Sequence, residues 1–395
     1  MPAPINPRLA RLDDYPFRRL ERLLDGMSPA PDRPIVMSIG EPRHLPPPIV
    51  AETLQRHASD WGRYPPTRGT DALRTSCAEW LTRRYRLPEA MIDPGRHVLP
   101  VGGTREGLFA VALAAMPETR GGRAPLVLMP DPFYQVYRGA AVVAGAEPVF
   151  LPCTRAGGFL PDLDAIPDGI WERTALFYLC SPANPQGAVA DRHYLARLIA
   201  RVRSVGALLV MDECYAEIYA EVPPVGVMEA VRDLGGDLAN VVSFHSLSKR
   251  SNVPGLRSGF VVGDAVFLEA FLRMRTYGGG QQPLPVQAAA TELWRDDGHV
   301  RENRALYRRK FDAAAAILRG RFGFFLPAGG FFLWLDVGDG EQAARTLWGT
   351  AGVKVMPGSY LASEAGEAAR HIRVALVPPI DAVRTGLGRL AEALG

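Results

Sequence analysis

The sequence predicts an α/β fold, with a large domain around a mostly parallel sheet and a smaller α/β domain built from both chain ends. Apolar runs alternate with amphipathic helical patterns through the middle of the chain. The runs are apolar at consecutive positions, as in strands covered by helices on both faces. The unusual polar residues follow the runs directly, where open α/β sheets bind their ligands.

Strands are expected at His97–Val101, Pro125–Met129, Thr174–Leu179, Ala207–Met211, Val241–Phe244 and Gly259–Val262. Leu73, Cys77, Trp80 and Leu81 recur at helical spacing, as do Leu195, Leu198, Ile199, Val202 and Val205 behind an Asp191 cap. G-G-T-R follows the first run, D-P-F-Y the second, S-P-A-N-P the third, D-E-C-Y the fourth and S-L-S-K the fifth. These five strand ends should converge on one crevice. Residues 46–280 are expected to form the large domain, and residues 1–45 and 281–395 the small one. A long helical stretch over 294–319 and short strands near 331–335 and 371–374 belong to the latter.

A chain of 395 residues that is 47% hydrophobic can bury a substantial core and exceeds one typical domain. The net charge of +3 is small and its arginines are scattered, so a nucleic-acid partner is not expected. Cys77, Cys153, Cys180 and Cys214 form no C-x-x-C pair, which argues against zinc and against a disulfide scaffold. The N-terminal residues lack the apolar core of a signal peptide, and no apolar run approaches about 18 residues, so a cytoplasmic protein without a membrane partner is expected. Of 45 basic residues only Lys249, Lys310 and Lys354 are lysine. Such a composition reserves lysine for chemistry that arginine cannot perform.

Lys249 stands in S-L-S-K-R-S-N-V-P-G-L-R, behind Ser246 and Ser248 and eight residues before Arg257. Hydroxyls, peptide N–H groups and a guanidinium are what a phosphate dianion requires. An imine-forming amine beside them points to an aldehyde cofactor with a phosphate tail. Gly102, Gly103, Thr104 and Arg105 open a helix whose free N–H groups favour an anion, although glycine pairs are common at such turns. No G-x-G-x-x-G is present, so a nicotinamide dehydrogenase lacks its fingerprint.

Asp212 ends the run A-L-L-V-M-D, and a carboxylate there is costly to bury unless it meets a cation. The protonated pyridine of pyridoxal 5'-phosphate (PLP) is one such cation; a metal is the rival, but the seven histidines form no ligand spacing. Tyr215 can reach the phenolic oxygen of that ring or pack in the core. Asn184 is by default a turn residue in S-P-A-N-P-Q-G. Tyr134, after Asp131-Pro132-Phe133, can stack on a flat ring. Arg373, inside the apolar run H-I-R-V-A-L, demands an anion, and a substrate α-carboxylate answers that demand. His245 reads as a satisfied structural histidine.

These residues closely resemble the fold type I, class I/II aminotransferases over nearly the whole chain, from Ser38-Ile39-Gly40-Glu41-Pro42 to Arg373. The S-x-S-K with an arginine eight positions on, preceded 37 residues upstream by D-x-x-Y, is the most specific part. The resemblance implies a mostly parallel seven-stranded sheet and a PLP cofactor bound covalently by Lys249. It implies Asp212 on the pyridine nitrogen, and Tyr215 with Asn184 on the phenolic oxygen. Gly103, Thr104, Ser246, Ser248 and Arg257 are implied on the phosphate side, Tyr134 on the ring face, and Arg105 among the cofactor-binding residues, at a position where other members often carry lysine or another polar residue. Arg373, Gly40 and Asn184 are implied for the substrate carboxylate.

Tyr64, in R-Y-P-P-T-R-G, matches a family tyrosine that reaches the neighbouring subunit's cofactor phosphate, which implies a homodimer with shared active sites. Y-P-F-x-R-L, S-I-G-E-P-x-H, D-P-F-Y-Q-V-Y and S-L-S-K-R-S-N-V-P-G-L-R-S-G-F are similar to the bacterial N-succinyldiaminopimelate aminotransferases of lysine biosynthesis. That branch implies an amino acid and a keto acid as substrates. Arg43, Arg63 and Arg275 are candidates by charge for a distal carboxylate. Other amino-acid substrates such as aspartate or acetylornithine, or a PLP lyase on the same scaffold, are the alternatives.

Overall fold

The computed structural model describes residues 3–30, 33–364 and 366–395. Its central sheet contains β1 (Val98–Val101), β2 (Leu126–Asp131), β3 (Glu147–Pro152), β4 (Thr174–Cys180), β5 (Leu208–Asp212), β6 (Val241–Ser246) and β7 (Gly259–Gly263). Their order across the sheet is β1-β7-β6-β5-β4-β2-β3. Only β7 runs against its neighbours; every other adjacent pair is parallel. The fold is therefore the expected α/β architecture with a mostly parallel seven-stranded sheet.

Consecutive apolar residues serve opposite faces of this sheet. In β5, Leu209 and Met211 join the core shared with Trp80, Phe177 and Leu198, while Leu208 and Val210 join the core shared with Leu108, Val127 and Tyr178. Each such buried leucine or valine contributes about 1.5–3 kcal/mol over an exposed one. Strand β3 was not among the runs read from the sequence. It is an edge strand, mostly half-buried to exposed, and it carries Pro148 and Pro152, which an edge tolerates.

The second unit surrounds β8 (Phe332–Asp336), β9 (Met356–Pro357) and β10 (His371–Ala375), in the order β9-β10-β8 and antiparallel throughout. Its core joins Leu20 and Leu23 of the helix Pro16–Leu23 to Phe311, Leu333, Val374 and Leu387, so both chain ends build it. The segment after Ile35–Val36 threads in: Met37 N–H donates to Lys354, and the Met37 carbonyl accepts from Ala375 N–H at 2.7 Å. This brings residues 38–40 beside β10.

The helical stretch expected over 294–319 is the helix Gly298–Leu318, and a separate helix, Leu284–Arg295, precedes it. The Asp296 carboxylate accepts from the N–H groups of Gly298 and His299 and so starts the second helix afresh. The first helix buries Ala290, Leu293 and Trp294 in the large core with Trp80 and Phe260. We therefore propose that the division between the units falls near residue 296. Among the described residues no helix is long and apolar enough to cross a membrane.

Candidate active site

The carboxyl ends of β1, β2, β4, β5 and β6 open on one cavity of about 640 Å³, closed from the other side by residues of the small unit. Gly40, Thr104, Arg105, Tyr134, Asn184 and Asp212 line it, together with Tyr215, Ser246, Ser248, Lys249, Arg257 and Arg373. Residues spread over more than 330 positions meet because parallel strands present all their carboxyl ends at one edge.

Lys249 follows β6 in the short helix Leu247–Arg250, which the Ser246 hydroxyl caps by accepting from Ser248 N–H. Its amine donates to the Gly40 carbonyl at 2.6 Å. Burial pushes the amine down to about 8, against smaller opposing effects from Cys214 and Glu41.

Asp212 is buried at the end of β5, and burial raises its carboxyl above the usual range. The Tyr137 hydroxyl donates to it at 2.8 Å and Cys214 N–H at 3.3 Å. Tyr137 was not read from the sequence as a site residue. It stands one helical turn after Tyr134 in D-P-F-Y-Q-V-Y, and that spacing was the available signal. Tyr137 stacks on Tyr178, whose hydroxyl donates to the Leu108 carbonyl, so its ring is held from behind. Tyr134 meets Tyr137 edge-on, and its hydroxyl accepts from Arg105 Nε at 2.7 Å. Tyr15 and Phe332 also line the cavity and were likewise not foreseen.

Arg373 is 5% exposed. It donates to the Asn184 side-chain oxygen at 2.9 Å and to the Ser38 carbonyl at 2.8 Å, and its guanidinium lies 4.3 Å from the centre of the Phe332 ring. Among the described residues it has no carboxylate partner, and its buried Nε has no hydrogen bond. Burial pushes it down to about 10, so a cation aimed at this cavity still lacks an anion.

At the opposite end, Gly103 adopts φ +91° and starts the helix Thr104–Ala115. Any Cβ there would collide with the Arg257 guanidinium, which donates to Pro254 and Gly102 carbonyls. A helix N-terminus, two hydroxyls and a guanidinium thus gather on one side of the cavity, with an amine and a buried carboxylate on the others. This donor set fits PLP: the helix end would hold an anionic tail, Asp212 would suit a ring cation, and the Lys249 amine could condense with an aldehyde.

Not every candidate is drawn in. Tyr64 lies outside the cavity and is 100% exposed. Arg43, Arg63 and Arg275 do not line it either: Arg63 pairs with Asp60, and Arg275 is buried against Glu106. Charge alone selected them, and local carboxylates had already claimed two. His245 is satisfied at one ring nitrogen only. Its Nε2 lies 3.2 Å from the Ser243 hydroxyl, whereas its buried Nδ1 has no partner among the described residues. Burial pushes it down to about 3, so it stays neutral. Among the described residues no His, Cys, Asp or Glu cluster is arranged to hold a metal.

Residues 32–390 match the family described as aminotransferase class I and II. A probable aminotransferase of Mycobacterium tuberculosis is 35% identical over 91% of this chain and 81% of its own length. An LL-diaminopimelate aminotransferase of Desulforudis audaxviator is 31% identical over 98% of this chain and 97% of its own. Among solved structures, an aminotransferase from Neisseria meningitidis superposes with a TM-score of 0.93 at 38% identity, covering 98% of this chain and 99% of that one. A probable N-succinyldiaminopimelate aminotransferase from Thermus thermophilus superposes with a TM-score of 0.82 at 27% identity, covering 95% and 99%. The chain belongs to the class I and II aminotransferases, PLP-dependent enzymes that pass amino groups between amino acids and keto acids.

Proposed function

We propose that this aminotransferase moves an amino group between N-succinyl-LL-2,6-diaminopimelate and 2-oxoglutarate, a step of diaminopimelate and lysine biosynthesis. The observation that carries the reading is Arg373, a buried fork without a carboxylate partner among the described residues, facing the same cavity as the Lys249 amine. Such a fork suits the α-carboxylate of an amino acid whose α-carbon then sits near that amine. The choice of substrate is supported by the motifs shared with the succinyldiaminopimelate branch and by relatives that act on LL-diaminopimelate or bear the N-succinyl name.

PLP, when bound, supplies an aldehyde that condenses with amines and a cationic ring that draws electrons from the substrate α-carbon. On this reading Asp212 would hold the ring N–H, and the Tyr137 hydroxyl and Cys214 N–H keep its carboxylate aimed. Thr104, Ser246, Ser248 and Arg257, with Gly103 leaving room, would hold the phosphate. Tyr134 would pack against the ring, and Tyr215 with Asn184 would hold its phenolic oxygen. Lys249, at about 8, is neutral in an appreciable fraction near neutral pH, so its Nζ can take a proton from the α-carbon side and return it at the cofactor side. Arg373 and Asn184 hold the carboxylate, and the Gly40 carbonyl steers the Lys249 amine.

A homodimer is part of the proposal. A fully exposed Tyr64 beside an exposed Trp61 supports a surface that a second copy covers, with Tyr64 reaching the neighbouring cofactor phosphate.

The test is the visible absorbance of the PLP-loaded protein, before and after N-succinyl-LL-diaminopimelate is added without keto acid. Loss of the yellow band and its return with 2-oxoglutarate are expected. A band that responds to glutamate but not to the succinylated amine would keep the aminotransferase and discard this substrate.

A further inference from the structure

Lys310 is one of three lysines in the chain and is absent from the chemistry above. It sits on the helix Gly298–Leu318 at 2% exposure, with no carboxylate partner among the described residues. Its amine lies 2.7 Å from His44 Nε2 and donates to the Val377 carbonyl at 3.2 Å. His44 Nδ1 lies 2.8 Å from the Asn303 side-chain oxygen. The Asn303 amide nitrogen in turn lies 3.2 Å and 3.3 Å from the carbonyl oxygens of Lys249 and Arg250.

The directions of these bonds follow from the groups themselves. Two carbonyls can only accept, so Asn303 turns its NH₂ to them and its oxygen to His44. His44 must then carry its proton on Nδ1, which leaves Nε2 to accept from Lys310. The order is fixed from end to end: Lys310 to His44, His44 to Asn303, Asn303 to the Lys249 turn. The ring of Tyr307, 4.7 Å from that of His44, walls the relay on one side.

His44 lies four residues after Gly40, whose carbonyl receives the Lys249 amine. One short segment therefore grips Lys249 at both ends, the side-chain nitrogen through Gly40 and the backbone through His44 and Asn303. Filling space at position 310 would need only an apolar side chain, and a buried amine is costly unless its donors are used. We propose that Lys310, His44 and Asn303 are positioning residues for Lys249, a hydrogen-bonded relay that sets where its amine lies in the cavity. The relay rests on the reading of Lys249 as the PLP-bearing lysine.

The test uses the PLP-loaded full-length protein and reads three quantities: the pH midpoint of its visible band, kcat and KM separately, and Tm. Lys310→Met frees His44 to move its proton to Nε2 and to face Asn303 with a lone pair. A fall in kcat of about tenfold is expected, with KM changed less than about twofold and the band midpoint moved by about half a pH unit. His44→Gln keeps an acceptor toward Lys310 but loses the donor toward Asn303, so it should act like Lys310→Met. His44→Asn keeps a donor near the Nδ1 position and should lose less than His44→Gln.

A lowered Tm with kcat and midpoint unmoved in Lys310→Met would make the cluster merely structural and overturn the relay, whether or not His44→Gln folds. A parent protein that shows no visible band with PLP would instead undo the reading of Lys249, and the relay with it.

Discussion

The Lys249 amine donates to the Gly40 carbonyl at 2.6 Å, and the space where a Gly40 side chain would stand is filled by the Phe332 ring, 2.5 Å from an ideal Cβ. Gly40→Ala must therefore move either Phe332 or the carbonyl that steers the lysine. We expect kcat to fall by about tenfold with the fold retained, while Lys249→Ala lowers it by about 10³-fold or more. Steady-state kinetics with circular dichroism checks both, and normal turnover by Lys249→Ala would remove the lysine from the chemistry.

Asp212 and Tyr137 should differ in degree. Asp212→Ala removes the carboxylate facing the ring cation and should lower kcat by about 100-fold or more, whereas Tyr137→Phe deletes one donor to it and should cost about tenfold. PLP affinity by absorbance titration should follow the same order. Equal effects of the two would mean that the tyrosine does more than hold the carboxylate.

Arg373→Lys keeps a cation but loses the planar fork that now spans Asn184 and Ser38. KM for the amino acid should rise by about 100-fold, more than kcat falls. An unchanged KM would place the carboxylate elsewhere.

Gly103→Ala forces a side chain into a backbone of φ +91° and against the Arg257 guanidinium. The PLP dissociation constant should rise about tenfold or more, with Tm of the apo protein lowered slightly. Unchanged affinity would separate Arg257 from the phosphate end.

Stability should depend on pH through Lys310, which burial pushes from 10.5 down to about 7. Between those values the unfolded chain holds a proton that the folded chain does not. Stability from this group therefore rises with pH across that window, by up to about 1.4 kcal/mol per pH unit, and the slope vanishes below about 7. Lys310→Met deletes the contribution, so in denaturant titrations the parent should gain on the variant from pH 7 toward pH 10. Parallel curves would mean that Lys310 titrates as an ordinary lysine.

Much of the fold and of the site was legible before any contact was known. Six of the seven central strands announce themselves because a strand covered on both faces must be apolar at every position, a local property of the chain. The missed strand, Glu147–Pro152, lies at an edge and has no such requirement. Asp212 and Arg373 stood out because each places a charge at the end of, or inside, an apolar run, where burial makes it expensive without a partner. Lys249 stood out because a rare amine stands among hydroxyls and an arginine, whereas Asn184 read as a turn residue and its role came only from the family resemblance.

Which partner each one meets was decided by the tertiary structure alone. Tyr137 on Asp212, Asn184 and Ser38 on Arg373, and His44 between Lys310 and Asn303 join residues up to 335 positions apart. Hydrogen bonds of about 3 Å depend on how two packed units meet, and no spacing along the chain encodes that distance. Short motifs carry the identity of the reacting groups, because local chemistry demands them; their orientation comes from packing.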